Sequence, residues 1–280
     1  MGQLFSLFRR TRPELPSKDL EGVAQYIASG QCKNIVIMET LRKSNVELPR
    51  PQDIFTLSYF KKNPKPFYRV MSELYGGAYR PTLTHSFIRL LEERRLLDTC
   101  WTQNVDDLER LAGVSPRRLV QAHGSLDSQH CTTCNAKLDD RAMKQAVVSG
   151  EVPLCAKRGC KGFVKPDVVM FGETLPLKFW LNIPFMRRAD LLIIVGTSLA
   201  VPPFAFLADW VPANCPRVVI NMEPVWAVGA REGDVECIGD CDETVRRLAQ
   251  LMGGDWEERL DALWQGTEDK VFRYKDHVTS

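Results

Sequence analysis

Apolar positions along this chain fall into alternating blocks of two periods. Asp19–Ser29 (DLEGVAQYIAS) repeats at helical spacing, with Leu20, Val23, Ala24 and Ile27 on one side and Gly30 as a stop. Lys33–Met38 is a short β-branched run, which predicts a buried strand. Pro49–Tyr75 holds two amphipathic segments split by Asn63-Pro64-Lys65-Pro66. Its aromatics, Phe55, Tyr59, Phe60, Phe67 and Tyr68, predict the core of a small helical module. Pro81–Arg95 opens with helix-entry residues and turns Phe87, Leu90 and Leu91 inward, with His85 as a packed or capping residue. Further strands are predicted at Leu96–Trp101, Ala189–Val195 and Arg217–Asn221, with extended chain over Val164–Phe171. Helices are predicted at Asp107–Ala112, Leu177–Met186, Phe204–Trp210 and Asp242–Met252, and Trp256–Ser280 reads as a charged helix plus tail.

Strands alternating with helices predict an α/β fold, a doubly wound parallel sheet. The 280 residues can bury a full core, as one large domain or as a domain with a smaller insert. Hydrophobic residues are 44% and charged residues 26%, ordinary for a globular chain. A net charge of +2 offers no general polyanion-binding surface, so no nucleic-acid partner is expected. No apolar run is long enough to span a bilayer.

Nine cysteines change the picture, because four fall in two tight pairs, Cys131/Cys134 and Cys155/Cys160. A pair on a tight turn presents both sulfurs to one metal, and two such turns make a tetrahedral set. Met1–Arg12 lacks a secretory h-region, and paired cysteines in a non-secreted chain favour metal over disulfide. The expectation is one structural zinc with no open position. Met1-Gly2 through Ser6 fits the N-myristoylation pattern, and Arg9, Arg10 and Arg12 would add the basic signal that one acyl chain needs. A cytoplasmic or nuclear chain with a membrane-associated pool is therefore expected.

Ligands of doubly wound sheets bind beyond the carboxyl ends of the strands. Gln103, Asn104 and Asp106 follow one strand; Gly196, Thr197 and Ser198 follow another; Asn221 and Glu223 follow a third. A small residue and two hydroxyls suit close approach to phosphate or ribose, and a late acid suits ribose hydroxyls. Together they point to a dinucleotide pocket. His123-Gly124 lies close by in sequence, and an imidazole that titrates near neutrality suits a general base.

TQNVD, His123-Gly124, the four-cysteine ribbon, KPDVVMFGE, GTSL, VVIN and the GDCD of Gly239–Asp242 resemble, in this order and spacing, the sirtuin family of NAD-dependent protein lysine deacylases. The likeness covers about Gln25 to Leu251 and is nearest to the animal cytosolic and mitochondrial class. It implies a Rossmann-like NAD-binding domain over residues 19–40, 85–125 and 164–252. It implies a small domain made of a helical module (41–84) and a zinc ribbon (126–163), with tails over 1–18 and 253–280. In the implied chemistry the acyl oxygen attacks the nicotinamide ribose, nicotinamide leaves, and His123 acts as general base toward the ribose hydroxyls. Free lysine and O-acyl-ADP-ribose result. Asn104 and Asp106 would hold the carboxamide and a water, and Gln103 the ribose. Gly196, Thr197 and Ser198 would meet the ribose-phosphate side, Asn221 and Glu223 the adenosine ribose, and Cys241 the adenine edge. Val168, Val169, Phe171 and Gly172 would pair with the acylated-lysine segment of a protein substrate, histone or non-histone.

The family's glycine-rich loop, G-A-G-x-S followed by G-I-P-D-F-R, should come directly after Ile35–Met38. Here Glu39-Thr40-Leu41-Arg42-Lys43 follows, with no glycine until Gly76, and the likeness is firm again from Pro51-Gln52-Asp53 onward. The missing piece is the pyrophosphate cradle, and Glu39 would bring negative charge to its place. Two function classes follow: an NAD-dependent protein deacetylase, or a catalytically impaired sirtuin-like protein that binds acylated peptides.

Overall fold

The computed structural model describes residues 14–41, 54–76, 78–270 and 272–273. The acylation pattern at Gly2 and the stretch from Arg42 to Asp53 lie outside them. Helix α1 (Leu20–Ala28) starts where the Asp19 carboxylate accepts the Gly22 amide at 2.8 Å. It leads into β1 (Ile35–Glu39), buried at every position. Helices α2 (Leu57–Lys62) and α3 (Lys65–Gly76) follow, then the short strand β2 (Ala78–Tyr79). Helix α4 (Leu83–Glu93) opens with a capping box in which Thr82 and His85 serve each other, so His85 is a capping residue. Next come β3 (Leu97–Thr102), the short α5 (Leu108–Leu111) and β4 (Leu119–Gln121). Strand β5 (Gly124–Cys131), helix α6 (Asp140–Val148) and strand β6 (Val164–Val168) form the polar middle of the chain.

Leu177–Met186 divides into α7 (Leu177–Asn182) and a 3-10 turn over Ile183–Arg188, where Pro184 lacks the amide a helix interior would use. Strand β7 (Leu191–Val195) is followed by a second 3-10 stretch, Phe204–Asp209, and by β8 (Arg217–Asn221). Strand β9 (Asp234–Ile238) is one the periodicity does not announce: DVECI is an edge strand with only Val235 buried. Helices α8 (Cys241–Met252) and α9 (Trp256–Gln265) and the two-residue β10 (Phe272–Arg273) complete the described chain.

Six strands form one parallel sheet in the order β4-β3-β1-β7-β8-β9. The order reverses beside β1, which pairs with β3 on one side and β7 on the other, so the crevice of a doubly wound sheet opens at its end. Ile35, Ile37, Ile193 and Val218 pack with Val23, Ile27, Leu90, Leu91, Val245 and Leu248 on one face. Val36, Met38, Ile194 and Val219 pack with Trp101, Phe179, Phe204 and Leu207 on the other. Burial on both faces is why β1 and β7 read as unbroken apolar runs.

A third cluster stands apart: Phe60, Phe67, Tyr68, Met71, Met143, Val147, Val164, Val168 and Met170. It joins α2 and α3 to the cysteine insert, with Phe60 and Phe67 edge to face at 5.3 Å. Strand β6 belongs to this cluster and pairs antiparallel with β5, outside the parallel sheet. The four sulfurs of Cys131, Cys134, Cys155 and Cys160 lie within 4.8 Å of one another, with Cys131–Cys160 at 3.7 Å and Cys134–Cys155 at 3.5 Å. A zinc–sulfur bond of about 2.3 Å sets the sulfurs of a tetrahedron about 3.8 Å apart, so the set fits one zinc. The amides of Thr133 and Lys157 point at Cys131 and Cys155 Sγ, both at 3.4 Å, and offset thiolate charge. Because this cluster ties β5 to the insert, removing zinc with a strong chelator should unfold the small lobe and leave the parallel sheet folded. Elemental analysis of the purified chain should give one zinc per chain, and its absence would contradict the assignment.

Candidate functional site

The strand ends beside β1 line a cleft of about 1060 Å³. Thr40 and Leu41 enter it from the end of β1, Gln103, Asn104 and Asp106 from the end of β3, and His123 from the segment between β4 and β5. Gly196, Thr197 and Ser198 follow β7, and Asn221 and Glu223 end β8. Val168, Val169, Phe171 and Gly172 close the far wall. Every expected cofactor and peptide residue lines this space except Cys241. Its thiol sits half-buried at the start of α8 and donates to the Ile220 carbonyl at 3.6 Å.

His123 Nδ1 lies 3.1 Å from the Gln103 carbonyl. A carbonyl only accepts, so Nδ1 carries the proton and Nε2 keeps its lone pair. Burial holds the imidazole below its ordinary pKa, partly opposed by that hydrogen bond, so it rests neutral. The next residue must be glycine. Gly124 has φ +78°, and a Cβ there would stand 1.9 Å from the Asp167 carbonyl oxygen.

Gln103 is clamped as well. Its Oε1 accepts from Thr40 Oγ1 at 2.7 Å and from Thr197 Oγ1 at 3.0 Å, which leaves its NH2 for the cleft. Asn104 donates from Nδ2 to the Leu41 carbonyl at 3.0 Å. Sequence reading missed two of the groups that build this site. Thr40 is one. The other is Asp107, whose φ of +60° turns the chain into α5 and whose carboxylate accepts from Gln121 Nε2 and Ser125 Oγ, both at 2.6 Å. That ties the Gln103–Asp106 loop to the His123 strand; the Asp106-Asp107 doublet before a helix was the available signal.

Glu39 does not face solvent as a free charge. It is fully buried, and its Oε2 accepts from the Leu41 amide at 3.0 Å and Asn104 Nδ2 at 3.4 Å. Burial first, then the neighbouring Glu109, hold its carboxyl well above the usual range. Burial also works against charge on Glu109, but the proton kept by Glu39 and the nearby His85 hold it ionised. Asp106, above them, is pushed up to about 7 by burial and by Glu109. On the far wall Phe171 is engaged at both main-chain groups: its amide donates to Phe55 at 2.8 Å and its carbonyl accepts from Leu57 at 3.0 Å.

The raised Asp106 has a consequence for stability. Between pH about 4, where the unfolded carboxyl ionises, and about 7, the folded chain keeps a proton that the unfolded chain has lost. The Asp106 contribution to stability should therefore fall as pH rises through that window, with Glu39 acting in the same direction and the lowered His123 in the opposite one near its upper end. Asp106→Asn should flatten this slope and stabilise the chain at pH 7.5 by about 1–3 kcal/mol. Urea denaturation of both proteins at pH 5 and 7.5 measures it, and an unchanged slope would refute the burial argument.

The Sir2 family model matches residues 37–203. The chain is 41% identical over 268 residues to the NAD-dependent protein deacetylase hst2 of Schizosaccharomyces pombe, across 88% of this chain and 80% of that protein. It is 42% identical over 227 residues to the NAD-dependent protein deacetylase sirtuin-3 of Mus musculus, across 80% of this chain and 67% of that protein. With the NAD-dependent protein deacetylase sirtuin-2 of Danio rerio it shares 37% identity over 311 positions, across 94% of this chain and 80% of that protein. An alignment of 311 positions exceeds the 280 residues here, so that relative carries segments this chain lacks. The motifs gathered in the cleft and the match of family and relatives agree: this chain belongs to the Sir2 family, the sirtuins.

Proposed function

We propose that the cleft is the site of NAD-dependent protein lysine deacetylation, giving nicotinamide, deacylated lysine and O-acyl-ADP-ribose, and that this chain as its sequence stands turns over little or no substrate. The relatives' shared activity supports the first half. The observation that carries it is the His123 tautomer, fixed by Gln103 with Nε2 left basic in the cleft.

NAD, when bound, supplies a ribosyl carbon open to attack by the acyl oxygen. His123 Nε2 takes the proton of a ribose hydroxyl, as a neutral imidazole can at physiological pH. The Gln103 NH2 donates to the ribose, and Asn104 with Asp106 orients the carboxamide and a water. Asn221 and Glu223 meet the adenosine ribose, and Val168 to Gly172 hold the acyl-lysine segment of the protein substrate, histone or otherwise. Cys241 would approach the adenine only by a shift of its side chain from the Ile220 carbonyl. The division into an NAD-binding domain and a small domain is part of this proposal, with Val164–Val168 counted in the small domain because it pairs with β5 and packs on α2 and α3.

The second half rests on the end of β1. Losing several charge-assisted hydrogen bonds to pyrophosphate, at about 1.5–3 kcal/mol each, weakens binding by orders of magnitude. It also loosens the nicotinamide ribose, so turnover falls further than affinity. A membrane-associated pool through Gly2 is proposed as well, from the N-terminal pattern alone. Equal membrane partition of wild type and Gly2→Ala would remove it. For the activity, nicotinamide release from NAD with an acetyl-lysine peptide should be at or near background for this chain. It should appear when the glycine-rich loop is placed after Met38, and vanish again in His123→Ala of that version. Robust turnover by the chain as it stands, lost in His123→Ala, would contradict the second half and leave the first intact.

A further inference from the structure

The layer that covers one face of the sheet is apolar on both of its own sides. Phe179, Met186, Phe204 and Leu207 are buried and pack on the sheet with Trp101 and Val219. Their neighbours in sequence face outward and stay exposed: Leu177 at 71%, Leu181 at 61%, Phe185 at 39%, Phe206 at 53% and Trp210 at 45%. These five sit on α7 and on, or at the end of, the two 3-10 stretches. All three elements anchor in the same core cluster, so their outer sides share one face of the molecule. Arg187 links the stretches, its guanidinium 6.0 Å from the centre of the Trp210 ring. A lone exposed apolar side chain is ordinary, but five large ones on one layer mark a contact surface.

Charge decides what that surface meets. The Arg188 guanidinium stands 4.4 Å from the centre of the Phe185 ring, so both arginines lie over outward-facing aromatics. Thr174–Ala189 carries three cations, Lys178, Arg187 and Arg188, and no acid. Asp209, in the second 3-10 stretch, is offset by Arg231 at 2.9 Å and Arg217 at 3.2 Å. A second copy of the chain fits this face poorly, because a two-fold contact would set Arg187 and Arg188 against their own counterparts.

An anionic lipid surface fits both features. Phe, Trp and Leu side chains enter the boundary between headgroup and acyl chain, and guanidinium groups meet the phosphates. None of the described helices is long and apolar enough to cross a membrane, so such a contact lies on the surface. The N-terminal pattern points independently to the same partner: Gly2 through Ser6 fits acylation, and one acyl chain alone holds a bilayer only marginally. We propose that the outer face of α7 and the two 3-10 stretches is a peripheral membrane surface that binds anionic phospholipid. It goes beyond the readings of the cleft and of Gly2, since it requires neither NAD nor an acyl chain.

Vesicle flotation of the full zinc-loaded chain carrying Gly2→Ala tests this with acylation removed. The vesicles are phosphatidylcholine alone, or phosphatidylcholine with about 30% phosphatidylserine. The chain should bind the anionic vesicles about tenfold or more tightly than the neutral ones, and added salt should weaken the binding. Arg187→Gln with Arg188→Gln should lower it about tenfold, and Phe206→Gln with Trp210→Gln by a similar factor. Leu177→Gln with Leu181→Gln gives a second apolar pair on a different element, with the same expected loss. The altered side chains are exposed, so all three proteins should keep the parent's cooperative thermal melt. Binding that is absent, or equal on the two kinds of vesicle, overturns the proposal. Anionic binding that the arginine pair or both apolar pairs leave unchanged also overturns it, and would place the contact elsewhere, with Arg9, Arg10 and Arg12 next to test. Sedimentation showing a dimer that Phe206→Gln with Trp210→Gln dissociates would give the face to a second copy and overturn it as well.

Discussion

Strand β1 is pinned between β3 and β7 and buried on both faces, so its carboxyl end can point only into the crevice where the sheet reverses order. Whatever follows Met38 must lie at the centre of the ligand site. The described residues that follow it are each bonded internally: Glu39 to Leu41 and Asn104, Thr40 to Gln103 and Val195, Leu41 to Asn104. His123 is set independently, by the Gln103 carbonyl and by the glycine that lets β5 pass Asp167. The site thus holds two arrangements on neighbouring strand ends, a histidine fixed in one tautomer and a strand end whose groups bond to one another.

A buried acid at the end of a central strand is costly unless it is neutral or paired. Glu39 is kept neutral by its surroundings and shares its environment with Glu109 and Asp106. Its carboxyl does structural work: it accepts the Leu41 amide and an Asn104 donor, so the short turn closes on itself. That gives Glu39 a role other than the exposed negative charge its sequence position suggests. The charge on this floor is held by Glu109 and, in part, by Asp106.

Much of this was legible in sequence because the physical signal was local. Ala189–Val195 is apolar throughout because both its faces are covered, and paired cysteines at short spacing fold onto one metal. The polar residues at strand ends converge because all the strands that carry them run parallel. What was not legible depends on partners far along the chain. Strand β9 has one buried side chain and owes its form to β8. Val164–Val168 looks like another core strand, but it pairs with the polar β5 and packs on α2 and α3. Cys241 follows a strand end in sequence order, yet its thiol donates to the Ile220 carbonyl and does not line the cleft. Thr40 carries no pattern at all; only the crossing of β1 and the Gln103 loop gives it a partner.

The central claim is that the chain after β1, without a glycine until Gly76, provides no glycine-rich cradle for pyrophosphate. Phosphorus NMR of NAD in the presence of the chain reads those groups directly, beside the proton signals of the nicotinamide ring. The account predicts ring protons that shift and broaden with added protein while the two phosphorus lines keep their free positions. Phosphorus lines that shift and broaden in step with the ring protons would show the pyrophosphate held in the site, and would contradict it.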